Sequence, residues 1–214
     1  MILLARLPDL TSTLMPTADP SPTPAGPPRQ FSPMAGLLSY LVPGLGQIVQ
    51  GRVGKGLLFF VCIYALFFYG MYLGSGSVTY AGTTYTVTSN VYLPDTVSEH
   101  NNPFNLPRFA ANLYNRPQFL GQFWVGVAAW PALWQYFNYD KGQDKGDPVL
   151  GEFQRTPSEE ALNAVHTARD KRQMELGWVY TVIAGVLNIM VIYDALAGPA
   201  FPAAGRAPAP GKAA

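Results

Sequence analysis

Cysteine occurs once, at Cys62, so no intrachain disulfide can form. Its place inside the apolar run LLFFVCIYALFFYGMYL reads as a small inert hydrophobe, not a reactive thiol. Histidine occurs twice, at His100 and His166, far apart and without metal-ligand spacing, which leaves a zinc centre unsupported. Charge is scarce: Asp, Glu, Lys and Arg make up 13% of the 214 residues, about half the share of an ordinary soluble domain. The 14 basic and 13 acidic residues give a net charge of +1, too little for a field that attracts nucleic acid. No Ser/His/Asp set, acid–base carboxylate pair or nucleophilic cysteine stands out, so the expectation is a non-enzyme without metal or cofactor. The opening MILLARLPDL has an apolar run of five residues ended by Arg6, too short for a secretory signal. Insertion into a membrane would then fall to internal segments.

The few charges are also unevenly spread. Residues 30–51, 56–94, 117–139 and 176–193 carry none, and together they are nearly half the chain. A soluble core would interleave charge to keep its outer faces wet. The composition therefore predicts an all-α integral membrane protein with three or four membrane helices and the lipid bilayer as its first partner.

Composition divides the chain into seven segments. Residues 1–30 and 199–214 are Pro-rich and read as disordered tails. Residues 31–74 form a glycine-rich membrane hairpin. Its first arm, Met34–Val49, would reach about 24 Å as a helix and is broken by Pro43, Gly44 and Gly46. It is short for the ~30 Å hydrocarbon core, hence either a kinked span or a re-entrant element. Its second arm, Leu57–Leu73, is uninterrupted. Residues 75–116 form an extracytoplasmic loop, in which SVTYAGTTYTVTSNVYL alternates with period two around an Ala81-Gly82 turn. Such a hairpin is marginal alone and would lean on the membrane or a partner. The following NPFNLPRFAANLYNR suits a short interfacial helix.

Residues 117–137 read as a third membrane helix, kinked at Pro131. Residues 138–175 hold six of the fourteen basic residues and an amphipathic surface helix, with Thr156 as N-cap and Glu159 closing a capping box. Residues 176–198 make the last membrane helix. The Lys and Arg counts place 138–175 and the 50–56 link in the cytoplasm and 74–116 outside, in a cell's inner membrane.

The stretch LSYLVPGLGQIVQGRVGKGLLFF at 38–60 carries Pro43, Gly44, Gly46, Gln47, Gly51 and Gly56. It resembles the P-G-x-G-Q-x-x-x-G-x-x-x-x-G hairpin of many small bacterial membrane proteins and, more loosely, the TM2-domain family. The last segment, with Tyr180, Ala184-Gly185, Asn188 and Tyr193-Asp194, is similar to the C-terminal helix of an uncharacterised bacterial membrane-protein family of unknown function. The resemblance implies an architecture and no activity. Without it, the glycines still remove side chains where helices approach closely in lipid, and Gln47 is placed to bond a carbonyl freed by Pro43.

Gly51–Lys55 is not a phosphate-binding loop, since it lacks the G-x-x-x-x-G-K-[ST] spacing and follows no strand. Asp140, Asp144 and Asp147 miss the EF-hand spacing and read as a solvated turn. In the last segment Thr181, Gly185 and Asn188 share one face, a small polar seam for packing on another helix. Asp194 is costly deep in lipid and a functional candidate by default, unless it reaches headgroup water. These features predict a structural or interaction protein, a scaffold or complex subunit with a protein partner or as a homo-oligomer. The alternative is an accessory subunit of a transporter or channel, using Asn188 and Asp194.

Overall fold

The computed structural model describes residues 31–94, 102, 104–138, 147–168 and 171–198. The two Pro-rich tails, His100, Asp140 and Asp144 lie outside the described residues.

Two long helices, α3 (Val53–Gly74) and α8 (Lys171–Ala197), organise the fold, and both are long and apolar enough to cross a membrane. They run antiparallel. Lys55 meets Asp194 at one end, and Gly70 and Gly74 meet Gly177 at the other. A Cβ on Gly177 would lie 2.5 Å from the Gly74 nitrogen, so the two backbones touch there. These are hereafter the Asp194 end and the Gly74 end.

The first charge-free window doubles back. Helix α1 (Pro33–Leu41) starts beside Leu196, where Ser32 N–H donates to the Leu196 carbonyl, and climbs to Asn188, which bonds Ser39. Pro43 forces Val42 extended (φ −136°, ψ 118°) and Gly44 takes φ +83°, which turns the chain. The short α2 (Leu45–Val49) then descends past Val191 to Ala195, tracked by bonds from Gln47 and Gln50. Entry and exit lie at the same end of α8, so this arm doubles back on itself and does not run the length of the bundle once.

The third charge-free window also doubles back, where a single helix over 117–137 was expected. Helix α5 (Pro117–Phe123) runs from the Gly74 end to Trp124, whose carbonyl meets Asn188. Gly126 then reverses the chain at φ +90°, ψ −138°, a conformation only glycine takes without strain. A 3₁₀ turn at Val127–Ala129 leads into α6 (Trp130–Asn138), which returns to the Gly74 end. There Tyr136 accepts from Asn112 of α4 (Arg108–Asn115). Pro131 sits in the first turn of α6, where its missing N–H breaks no bond, so it starts a helix and kinks none. The tips of the two helical hairpins meet at mid-height, with Gly126 against the Tyr40 and Leu41 carbonyls.

Beyond the Gly74 end, β1 (Gly76–Tyr80) and β2 (Thr83–Val87) pair antiparallel across Ala81-Gly82, both at positive φ, as the alternation predicts. Helix α7 (Glu159–Ala168) covers the hairpin: Val78, Tyr85 and Val87 pack on Ala161, Leu162, Val165 and Met174. Residues 147–156 join this layer, with Thr88 donating to the Glu152 carbonyl (2.6 Å) and Thr156 to the Leu93 carbonyl (3.1 Å). Segments expected on opposite sides of a membrane thus pack into one layer at one end. The reason is the reversal at Gly126, which returns the chain to the end of the bundle from which α5 started. The N-cap of α7 is also Ser158, whose Oγ accepts from Ala161 N–H (3.2 Å), and not Thr156. Asp147 is buried and not solvated: its carboxylate accepts from Val149 and Leu150 N–H and from the Trp134 indole.

Candidate functional site

The inner face of α8 gathers every polar residue singled out from the last segment, at three heights. At the Asp194 end, the Asp194 carboxylate takes Lys55 Nζ at 2.6 Å and Arg52 Nη2 at 2.8 Å. Gln47 Nε2 donates to Asp194 Oδ2 (3.2 Å) and to the Val191 carbonyl (2.8 Å). Its Oε1 accepts from Ser39 Oγ (3.0 Å), which itself accepts from Gly46 N–H (3.1 Å). Gln47 therefore ties the α1–α2 hairpin to α8 and does not serve the carbonyl freed before Pro43. The charges sit on the rim, with side chains 20–41% exposed. Each ion pair there contributes no more than about 1 kcal/mol.

At mid-height, fully buried Asn188 donates to the Ser39 carbonyl (3.1 Å) and the Trp124 carbonyl (2.8 Å). Ser39 lies in the last turn of α1, so its carbonyl has no helical donor, and Trp124 follows the end of α5. One amide thus caps both half-height helices. Nearer the Gly74 end, Thr181 Oγ1 accepts from Gln122 Nε2 (2.7 Å) and donates to the Trp178 carbonyl (2.9 Å). Between these heights Gly185 lies against the Gly121 carbonyl, too close for any side chain.

The glycines of the 38–60 stretch divide into two groups. A Cβ on Gly44 would strike the Gly56 carbonyl, one on Gly46 the Ala35 carbonyl, and one on Gly56 would come 2.5 Å from both the Gly44 carbonyl and Ile48. Gly51 has open space around it and φ +80°, so it serves the turn into α3. Gly54 faces open space as well.

Several polar residues were not foreseen. Ser39, Asn90, Asn112, Gln122, Gln135 and Gln154 are all buried. Gln154, at φ +57°, inserts under the start of α6, accepting from Ala132 N–H (3.0 Å) and donating to the Ala128 carbonyl (2.7 Å). A signal did exist: four of these six lie in windows without charge, where an amide or hydroxyl has no solvent role. Among the described residues, no three His, Cys, Asp or Glu side chains gather as a metal site. Cys62 is exposed on the outer face of α3.

No curated protein and no solved structure matches this chain. The pattern of one family does match, over residues 34–208, which takes in both helical hairpins, the capping layer and α8. The chain belongs to the family of unknown function DUF6677.

Proposed function

We propose that this chain is an integral membrane protein that crosses the bilayer twice, through α3 and α8, with α1–α2 and α5–α6 as re-entrant hairpins entering from opposite faces. One observation carries the reading. The most apolar stretches of α3 and α8 are only 28% and 33% buried inside the bundle, whereas a soluble core helix is mostly covered. Leu57, Leu58, Val61, Phe68, Ile183, Val186, Leu187 and Met190 all face outward. Among the described residues nothing polar covers that surface, and large apolar side chains side by side in such number are uncommon on a water-facing surface. At about 1.5 Å per residue, the charge-free part of α8 spans roughly 27 Å, the depth of a hydrocarbon core. Lys55, Arg52 and Asp194 bound it at one end, and Tyr69, Tyr72, Trp178 and Tyr180 ring the other.

Within the membrane, the role we infer is structural or interactive: a scaffold or subunit of a cytoplasmic-membrane complex, without catalysis of its own. Support comes from how the polar side chains are used. Gln47, Asn188 and Gln122 spend donors on holding hairpins to α8, with Thr181 accepting the one from Gln122. The layer of β1, β2 and α7 then offers a rigid extramembrane platform. A transporter accessory would need a continuous polar line along α8, and the Gly185–Gly121 backbone contact interrupts it. Resistance of the chain to alkaline carbonate extraction tests the membrane reading; release into the supernatant refutes it. Crosslinking in intact membranes, followed by purification in mild detergent, tests the role. A stoichiometric protein partner or homo-oligomer is expected, and a solitary chain that carries a solute flux in liposomes would refute it.

A further inference from the structure

At the Gly74 end, a cavity of about 200 Å³ opens among α7, α8 and the connections that follow β2 and α4. Arg116 forms one wall. Its guanidinium lies on the Tyr92 ring, 3.5 Å from the centroid, and Nη2 donates to the Asn90 carbonyl at 3.0 Å. Nε is buried without a partner, Nη1 has no protein acceptor, and no carboxylate comes within 4 Å, among the described residues. Glu175 of α8 lines the same cavity and likewise has no cation within 4 Å among the described residues. The fold thus holds a guanidinium and a carboxylate on one cavity without letting them pair. Glu175 is also the last charge before the 18 uncharged residues of α8, and Trp178 follows it on the cavity wall.

We propose that this cavity binds a phosphoethanolamine-type group, with its phosphate on Arg116 and its primary ammonium on Glu175. A simple anion would suit Arg116 and be repelled by Glu175; a simple cation would suffer the reverse. A group carrying both charges a few bonds apart satisfies both walls at once. A phosphate accepts two guanidinium N–H bonds in a planar fork, and the ring beneath Arg116 fixes the plane of that fork. A quaternary amine has no N–H for Glu175, so the site should reject choline esters. The inference that the group belongs to a lipid rests on the membrane reading above, which sets Glu175 and Trp178 at headgroup depth.

The test uses the full chain in phosphatidylcholine nanodiscs doped with phosphatidylethanolamine or phosphatidylglycerol, with retained lipids counted by native mass spectrometry. One phosphatidylethanolamine should be retained over the other two lipids by about tenfold, the factor that ~1.4 kcal/mol supplies. Glu175→Gln, at an exposed position, should erase the preference for ethanolamine over choline while the chain stays folded. Arg116→Gln should lose retention of every phospholipid; if it fails to fold, Glu175→Gln decides alone. Soluble phosphoethanolamine added to the detergent-purified chain separates the sources. Saturable binding there, with no lipid retained, assigns the site to the free ester. Retention of the lipid that the soluble ester does not displace assigns it to the membrane. No preference among the three lipids and no binding of the ester overturns the proposal, as does a preference that survives Glu175→Gln. A chain that fails to enter nanodiscs refutes the membrane reading instead, and the soluble arm still tests the cavity.

Discussion

Replacing Asn188 with alanine should loosen both helical hairpins at once. The side chain is fully buried and donates to two carbonyls, at 3.1 Å on Ser39 and 2.8 Å on Trp124. Alanine removes both donors and leaves two main-chain acceptors dry at the tips of α1 and α5. In lipid, one inter-helix hydrogen bond contributes about 0.6–2 kcal/mol. Two bonds and the small void left behind bring the loss to roughly 2–4 kcal/mol. For a chain of this size that lowers the melting temperature by roughly 4–16 °C. Met190→Ala is the control, since Met190 lies two residues further on and is 66% exposed. It should melt within a degree or two of the parent, because a side chain facing detergent or lipid gains little by staying long. The assay is thermal unfolding in a mild detergent, followed by tryptophan fluorescence, as Trp124 and Trp130 sit at the hairpin tips. Equal losses for Asn188→Ala and Met190→Ala would refute the idea that one amide caps both hairpins.

Gly126→Ala should prevent folding, because a Cβ there meets the Tyr40 carbonyl and φ is +90°; Gly82→Ala, at a similar φ but in open space, should cost only about 1–2 kcal/mol. Comparable yields of folded protein for the two would contradict the tip-to-tip packing. Gly56→Ala should destabilise strongly through the Gly44 carbonyl, whereas Gly54→Ala should be neutral or slightly stabilising in the first turn of α3, as melting temperatures would show. Asp194→Asn should lower stability by about 1–2 kcal/mol at low salt, by leaving Arg52 and Lys55 without a counter-charge, and by less at high salt. A loss independent of salt would mean that the carboxylate acts through packing alone.

Parts of this architecture are open to a reader of the sequence. Charge-free windows that no proline interrupts mark α3 and α8. Pro43-Gly44 marks the break in the first arm, because the residue before a proline leaves the helical region. Alternation around Ala81-Gly82 marks the β-hairpin. The seam of Thr181, Gly185 and Asn188 follows from helical spacing alone. The reversal at Gly126 is different in kind. Nothing in FLGQFWVGVAAWPALWQYF distinguishes Gly126 from Gly121, and one breaks the helix while the other packs it. The tip of α1 lies against this turn and not against Gly121, with the Tyr40 carbonyl beside Gly126 and the Tyr40 ring against Phe123 and Trp124. That contact joins residues more than eighty positions apart, and local propensity does not encode it.

The reversal at Gly126 decides where the segments after it lie. With 117–137 taken as a crossing, the six basic residues of 138–175 fall opposite the β-hairpin. With the reversal at Gly126, the described part of that segment, residues 147–168, lies in the hairpin's own layer. The loop between the two long helices then exceeds 90 residues, beyond the length over which basic residues govern orientation. The Arg116 cavity was hidden for a related reason. Arg116 and Glu175 come to line one cavity only once α5 starts, and α8 begins, at the same end.

Accessibility of single cysteines tests the central claim most directly, with Cys62 replaced by alanine and a membrane-impermeant maleimide applied to sealed vesicles of known orientation. Ser77→Cys on β1, Glu160→Cys on α7 and Gly54→Cys at the start of α3 are all exposed positions away from the helix contacts. The proposed two-crossing arrangement predicts that the cysteines at 77 and 160 react from the same side and the cysteine at 54 from the other. Reaction of 77 and 160 from opposite sides would restore a crossing at 117–137 and contradict the fold described above.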